Sequence, residues 1–213
     1  MFIDLTHSLK NNISVYPGTI EPRFEIGNTI EKDGFAELKM TMCTHTGTHM
    51  DAPSHIIAGA KSLDQFPIEK FIGKGLSIDC RNSKIINKEL LLTYQEKIEK
   101  LDFILFYTGW QHKWNTSEYF NPFPVLNSEA VKWLLNFNLK ALGFDAISVD
   151  RMDDHHLPNH HLLLEKEVCI IENMNNLDKL TDKEFELFVI PLRIKDSDGS
   201  PVRAFARLTQ TAS

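Results

Sequence analysis

The sequence predicts an α/β fold in one domain over residues 1–213, with strands leading and a mixed α/β portion following. Three observations carry that reading. Phe35–Cys43 alternates apolar and polar residues with period two. After about residue 70, short runs rich in Ile, Val, Leu and Phe recur. Between those runs lie segments whose apolar residues are spaced by three and four. Of the 213 residues, 42% are hydrophobic and 24% charged, which supplies enough apolar material for one core. No internal repeat, low-complexity tract or Pro/Gly/Ser linker divides the chain.

Phe2–Thr6 and Arg23–Ile30 read as strands, with Tyr16-Pro17-Gly18 turning between them. In Phe35–Cys43, Ala36, Leu38, Met40 and Met42 oppose Glu37, Lys39, Thr41 and Cys43, the pattern of a half-buried strand. Leu76–Cys80, Phe103–Thr108, Ala146–Val149, Val168–Ile171 and Leu187–Leu192 are short enough and apolar enough to be buried strands. Asn87–Lys100 has helical spacing, with Asn87 as its N-cap, and Ser128–Phe137 repeats the pattern through Ala130, Val131, Leu134 and Leu135.

The net charge of −6, from 29 acids and 23 bases, argues against a nucleic-acid or anionic-membrane partner, since both require a basic face. No apolar run approaches a membrane span. Met1-Phe2-Ile3-Asp4 carries an acid where a signal peptide carries positive charge. Cys43, Cys80 and Cys169 are scattered and in no C-x-x-C pattern, as expected of thiols in a reducing cytoplasm. Cys43 lies two residues before His45 but is expected to be a small core residue.

The histidines carry the functional signal. Seven of nine fall in two clusters: His45, His49 and His55, then His155, His156, His160 and His161. The first cluster follows the predicted strand at Phe35–Cys43, where the chain leaves the sheet and side chains can converge on a cleft. Taken singly, each imidazole is better explained by a hydrogen-bonded polar loop. Together, His45, His49 and Asp51 offer nitrogen and oxygen donors of the mix that suits Zn2+ or Mn2+. Gly47 and Pro53 favour a tight, pre-set loop around them. A metal hydrolase also needs an open position for water and a group titrating near neutrality, the role that falls to His55. In the second cluster any of the four histidines can be the inward one.

The string His45-x-Gly47-Thr48-His49-x-Asp51-x-Pro53-x-His55 resembles the signature of the cyclase-like metal hydrolases, which include bacterial kynurenine formamidase and isatin hydrolase. Weaker likeness runs through Asp4-Leu5-Thr6, Tyr16-Pro17-Gly18, Tyr107–Trp110, Ser148–Asp150, Ile170–Asn173 and Gly199–Arg203. The resemblance implies a swivelling β/β/α-type domain and one or two metal ions, Zn2+ first and Mn2+ second. It implies metal ligation by His45, His49 and Asp51, with Asp51 bridging to a second ion held by His160 and Glu172. It makes His55 the proton donor and acceptor, and Tyr16 a substrate-binding residue. Tyr16 stands where the formamidases carry Trp, so any stacking face is smaller, and Thr19 replaces the acid that commonly follows the glycine. The implied activity is hydrolysis of a formamide or amide in a small aromatic substrate, an arylformamidase step of tryptophan catabolism, by a homodimer or homotetramer. A cyclic amide such as isatin is the next candidate, then a cyclase or dehydratase using the same site. A metal protein that binds a small molecule without chemistry is the reading from a different class. No G-x-S-x-G elbow offers a serine nucleophile.

Other residues leave two readings open. Trp110, His112 and Trp114 are equally pocket lining or a subunit contact. Asp150, Asp153 and Asp154 either orient metal-binding histidines or cap helices and stay solvated. His7 is expected to be structural, and Arg203 either faces a product carboxylate or forms a surface salt bridge.

Overall fold

A computed structural model describes residues 1–208. In chain order the strands and helices are β1 (Phe2–Asp4), β2 (Arg23–Asn28), α1 (Ile30–Asp33), β3 (Glu37–Thr41), β4 (His49–Asp51), β5 (Ile72–Asp79), β6 (Ile85–Ile86), α2 (Lys88–Leu92), α3 (Gln95–Ile98) and β7 (Phe103–Tyr107). There follow β8 (Val125–Leu126), α4 (Ser128–Leu134), β9 (Ala141–Phe144), α5 (Pro158–Leu164), β10 (Cys169–Glu172), β11 (Glu184–Pro191) and β12 (Gly199–Leu208). An eight-stranded mixed sheet runs β1-β12-β11-β5-β7-β9-β10-β4, and β4 pairs back onto β12. That last pairing closes the sheet into a barrel, so the α/β class is as the sequence predicts. Within it, β5, β7, β9 and β10 are parallel and joined by helical crossovers, as parallel strands must be.

Side chains alternate across the barrel wall. Met50, Leu105, Ala141, Ile171, Leu187 and Ala204 fill the interior. Leu76, Ile78, Ile104, Phe106, Leu142 and Ile170 point outward and pack under the helices, against Leu91, Ile98, Val131 and Leu163. The parallel strands therefore bury both faces and read as continuous apolar runs.

Four sequence readings need correction. Ala146–Val149 is buried but irregular; the strand is β9. An apolar run reports burial, and the backbone here bonds elsewhere: Ala146 accepts from Asn173 N–H at 2.9 Å, and Val149 N–H donates to Glu172 Oε1 at 3.2 Å. The helix expected over Asn87–Lys100 splits into α2 and α3, because Thr93 Oγ1 donates to the Leu90 carbonyl at 2.6 Å and closes the first turn. The expected N-cap is present, with Leu90 N–H donating to Asn87 Oδ1 at 3.1 Å. The strand over Phe35–Cys43 is not half-buried: β3 pairs only with β2, in a two-stranded ribbon whose Ile26, Leu38 and Met40 stand 76%, 55% and 57% exposed. Finally, His49–Asp51 is itself a strand, β4, too short to register as a period.

Candidate metal centre

Three residues of β4 set the site. His49 and Asp51 share the face opposite the interior-facing Met50, and the antiparallel register places Glu172 of β10 directly across from His49. Glu172 ends a parallel strand, so the site lies at the carboxyl ends of the parallel strands, where α/β sheets commonly open a crevice. His160 enters from the first turn of α5. Asp150 fixes that turn by accepting from Asn159 N–H and His160 N–H at 2.9 and 3.0 Å, and it also accepts from His160 Nδ1 at 2.8 Å. The two readings of Asp150, helix cap and histidine orienter, are both met by one carboxylate.

The loop carrying His45 is pinned from the other side. Gly47 has φ of +67°, and a Cβ there would stand 2.5 Å from Leu9 Cδ2, so a side chain is excluded twice over. Asn173 Nδ2 donates to the Gly47 carbonyl at 2.9 Å, and Thr48 Oγ1 donates to the Asn173 carbonyl at 2.6 Å.

These elements bring together all five ligands that the resemblance implies. His45, His49 and Asp51 form one group, and Asp51, His160 and Glu172 a second, with the donor atoms of each group within 4.8 Å of one another. Asp51 belongs to both. Its Oδ1 lies 2.8 Å from His45 Nδ1 and 3.2 Å from His49 Nε2, while Oδ2 faces His160 Nε2 at 3.8 Å. Glu172 reaches both His49 and His160 at 3.5 Å. Each imidazole has its other nitrogen tied: His49 Nδ1 to the Gly47 carbonyl at 2.9 Å, His160 Nδ1 to Asp150, and His45 Nε2 to Asp198 at 3.0 Å. One ring nitrogen of each is thereby directed at the shared acids.

The electrostatics favour a cation. Asp51 and Glu172 are buried, and Asp51 Oδ2 has no hydrogen-bond partner. Burial works to lower the pKa of His45, but Asp51 and Asp198 override it and raise it to about 10. Burial is likewise overridden at His160, where Asp150, Glu172 and Asp51 raise the pKa to about 10. Burial opposes ionisation of Asp51, yet His45 and His49 hold its carboxyl well below the usual range. The negative potential that retains those protons is the one a divalent ion would meet, and the mixed imidazole–carboxylate donors fit Zn2+ or Mn2+.

His55 stands beside the groups, its ring 4.0 Å from that of His45. Burial, reinforced by repulsion from His45 and His160, lowers its pKa against the pull of Asp51 and Asp198. A cavity of about 350 Å³ opens over this cluster, walled by Tyr16, Thr19, Cys43, Ile147, His155 and Leu157. Tyr16 is therefore part of the cavity wall. Cys43 lines this cavity and is only partly buried, so it is not the core residue its composition suggests. A larger cavity, about 920 Å³, is lined by Asp150 and Asn159 but by none of the donor residues, so size does not locate the chemistry.

The remaining candidates resolve otherwise. Trp110 and Trp114 pack against the cluster of Tyr119, Phe123 and Ile147, Trp110 also lines the larger cavity, and His112 bonds the Tyr107 hydroxyl at 3.2 Å. His7 stacks on Trp114 with ring centroids 4.3 Å apart. Arg203 pairs with Asp4 at 2.6 Å on the surface. Arg151 pairs with Asp153, and Asp154 accepts from His156 N–H. Asp198 was missed, although it directly precedes the Gly199–Arg203 stretch that carries part of the resemblance; an acid in a polar turn has no spacing signal of its own.

The Cyclase family model matches residues 3–151. Kynurenine formamidase of Bacillus cereus (strain ATCC 14579) is 33% identical over 207 residues, covering 97% of both chains. Kynurenine formamidase of Bacillus cytotoxicus is 35% identical over 208 residues, again with 97% of each covered. Among solved structures, isatin hydrolase A from Labrenzia aggregata, bound to benzyl benzoate, superposes with a TM-score of 0.89 at 26% identity, covering 99% of this chain and 94% of that one. With most of its length matched and the barrel shared, the chain belongs to the Cyclase family.

Proposed function

We propose that this chain is a metal-dependent hydrolase that cleaves the carbon–nitrogen bond of a formamide or amide in a small aromatic substrate. One observation carries the reading: two three-donor groups share the buried Asp51 at the floor of a cavity of about 350 Å³, with His55 beside them. His45, His49 and Asp51 would hold one ion, and Asp51, His160 and Glu172 a second, Zn2+ before Mn2+. When bound, such ions would supply Lewis acidity, which makes water nucleophilic near neutral pH and polarises a carbonyl oxygen.

The chain's own groups do the rest. His55, kept neutral by burial, accepts the proton of the attacking water as the new carbon–oxygen bond forms. It returns that proton to nitrogen as the carbon–nitrogen bond breaks. Tyr16 and Ile147 offer apolar surface to an aromatic ring. N-formylkynurenine is the first substrate to test, given the formamidase relatives. The second reading, a cyclic amide such as isatin, is favoured by the likeness to isatin hydrolase A.

A homodimer or homotetramer belongs to the same proposal, supported by the apolar ribbon face of Ile26, Leu38 and Met40. So does a cytoplasmic setting, supported by three unpaired thiols, Cys43, Cys80 and Cys169. Among the described residues no helix is long and apolar enough to cross a membrane. The test is direct: load the protein with Zn2+ or Mn2+, offer each substrate, and follow turnover beside His49→Ala. Turnover of either by the parent alone is expected. Equal rates from the two proteins would refute the metal-centred reading, and a metal-loaded parent inert to both would refute the substrate class.

A further inference from the structure

We infer that Asp198 is a positioning residue, whose carboxylate holds the His45 and His55 imidazoles in the orientation the metal centre needs. The inference rests on the metal-centre reading above.

The three ligand imidazoles are not held alike. His49 and His160 are buried, and they present Nε2 to the acids while Nδ1 is anchored to the Gly47 carbonyl and to Asp150. His45 is turned the other way, with Nδ1 toward Asp51 and its side chain 21% exposed. Its partial exposure constrains this ring less by packing than burial constrains the other two. Asp198 Oδ2 supplies a further constraint by accepting from His45 Nε2 at 3.0 Å, which leaves Nδ1 as the donor nitrogen. The same oxygen lies 3.4 Å from His55 Nδ1, so Nε2 is the His55 nitrogen left to exchange protons.

Asp198 is itself fixed. Its Oδ1 accepts from Thr44 Oγ1 at 3.0 Å, and its backbone carbonyl accepts from Ala52 N–H at 2.8 Å, where β12 joins β4. His45, His55 and Asp198 also come within 4.8 Å of one another, which raises the alternative that Asp198 is a ligand. That arrangement would make His45 bind an ion through each ring nitrogen, and all three groups are partly exposed, whereas Asp51 and Glu172 are buried. The geometry therefore favours support over ligation.

The test compares Asp198→Ala and Asp198→Asn with the parent. Zn2+ affinity is read by competition with a chromophoric chelator, ions per chain by elemental analysis, and melting on chelator-stripped protein. The kcat and KM are measured on whichever of N-formylkynurenine or isatin the parent hydrolyses. Asp198→Ala should keep the same number of ions at saturation, bind them roughly 10–100-fold more weakly, and lose kcat with little change in KM. Asp198→Asn should recover most of the affinity, because its amide oxygen still accepts from His45. Stripped proteins should melt together, which separates positioning from loss of fold. Loss of a whole ion per chain would make Asp198 a ligand and overturn the inference. So would parental affinity and kcat in both variants, while leaving the metal centre standing. A parent that takes up no metal overturns both.

Discussion

Gly199→Ala tests how tightly the metal centre is built. A Cβ at Gly199 would stand 2.6 Å from His45 Cε1 and 2.7 Å from Nε2, against an ordinary contact of 3.4 Å or more. The ring must recede by about 0.8 Å to reach that contact, in a site already packed closely enough to hold the His55 ring 4.0 Å away. Such a shift breaks the 2.8 Å approach of His45 Nδ1 to Asp51 Oδ1. A ligand displaced by that much should cost roughly 10–100-fold in metal affinity, on the order of 1.4–2.7 kcal/mol, and about 100-fold in turnover. The backbone does not confound the experiment, because Gly199 lies in β12 outside the left-handed region and alanine is at home there. Melting of the stripped protein should therefore change by a few degrees at most. The assay is chelator competition for Zn2+ alongside that melt. Affinity within twofold of the parent, with an unchanged melt, would mean that His45 is not held against this strand and is not a placed ligand.

Glu172→Ala should lower the metal content by one ion per chain, measured by elemental analysis, since Glu172 and His160 complete only the second group; unchanged stoichiometry would count against a two-ion arrangement. Tyr16→Ala should raise KM several-fold and leave kcat near the parental value, because Tyr16 walls the cavity and is not one of the donor groups. His7 makes the stability pH-dependent. Burial lowers its pKa to about 4, so between pH 4 and 6.5 the folded state binds fewer protons than the unfolded chain and stability rises with pH. The full shift corresponds to about 3 kcal/mol, lost as the pH falls through that window. In His7→Phe, which keeps a ring against Trp114, urea unfolding of chelator-stripped protein should lose that part of the acid dependence; an identical pH slope in parent and variant would show that His7 does not carry it.

The sequence by itself determined the class of the fold and the composition of the site. Parallel strands buried on both faces must be apolar runs, so Phe103–Tyr107 and Cys169–Glu172 were visible in one dimension, and so was the cap that starts α2. Donor atoms crowded between His45 and His55 pointed to a metal centre, because together they supply a ligand set that no one imidazole suggests. Only the family's spacing singled out His160, because the four histidines of its cluster look alike until α5 turns one of them inward. Burial was read less well: Ala146–Val149 is apolar without being a strand, and the alternation of β3 faces no core.

Tertiary structure alone decided the rest, for a physical reason. A strand of three residues has no period, so β4 exists only because β10 and β12 flank it and satisfy its backbone. Closure of the barrel at that seam carries the turn before β12 onto His45, which makes an acid and a glycine about 150 positions away in sequence part of its surroundings. Local sequence encodes which donors are present; the long-range pairing of strands fixes which nitrogen of each imidazole faces the shared carboxylates.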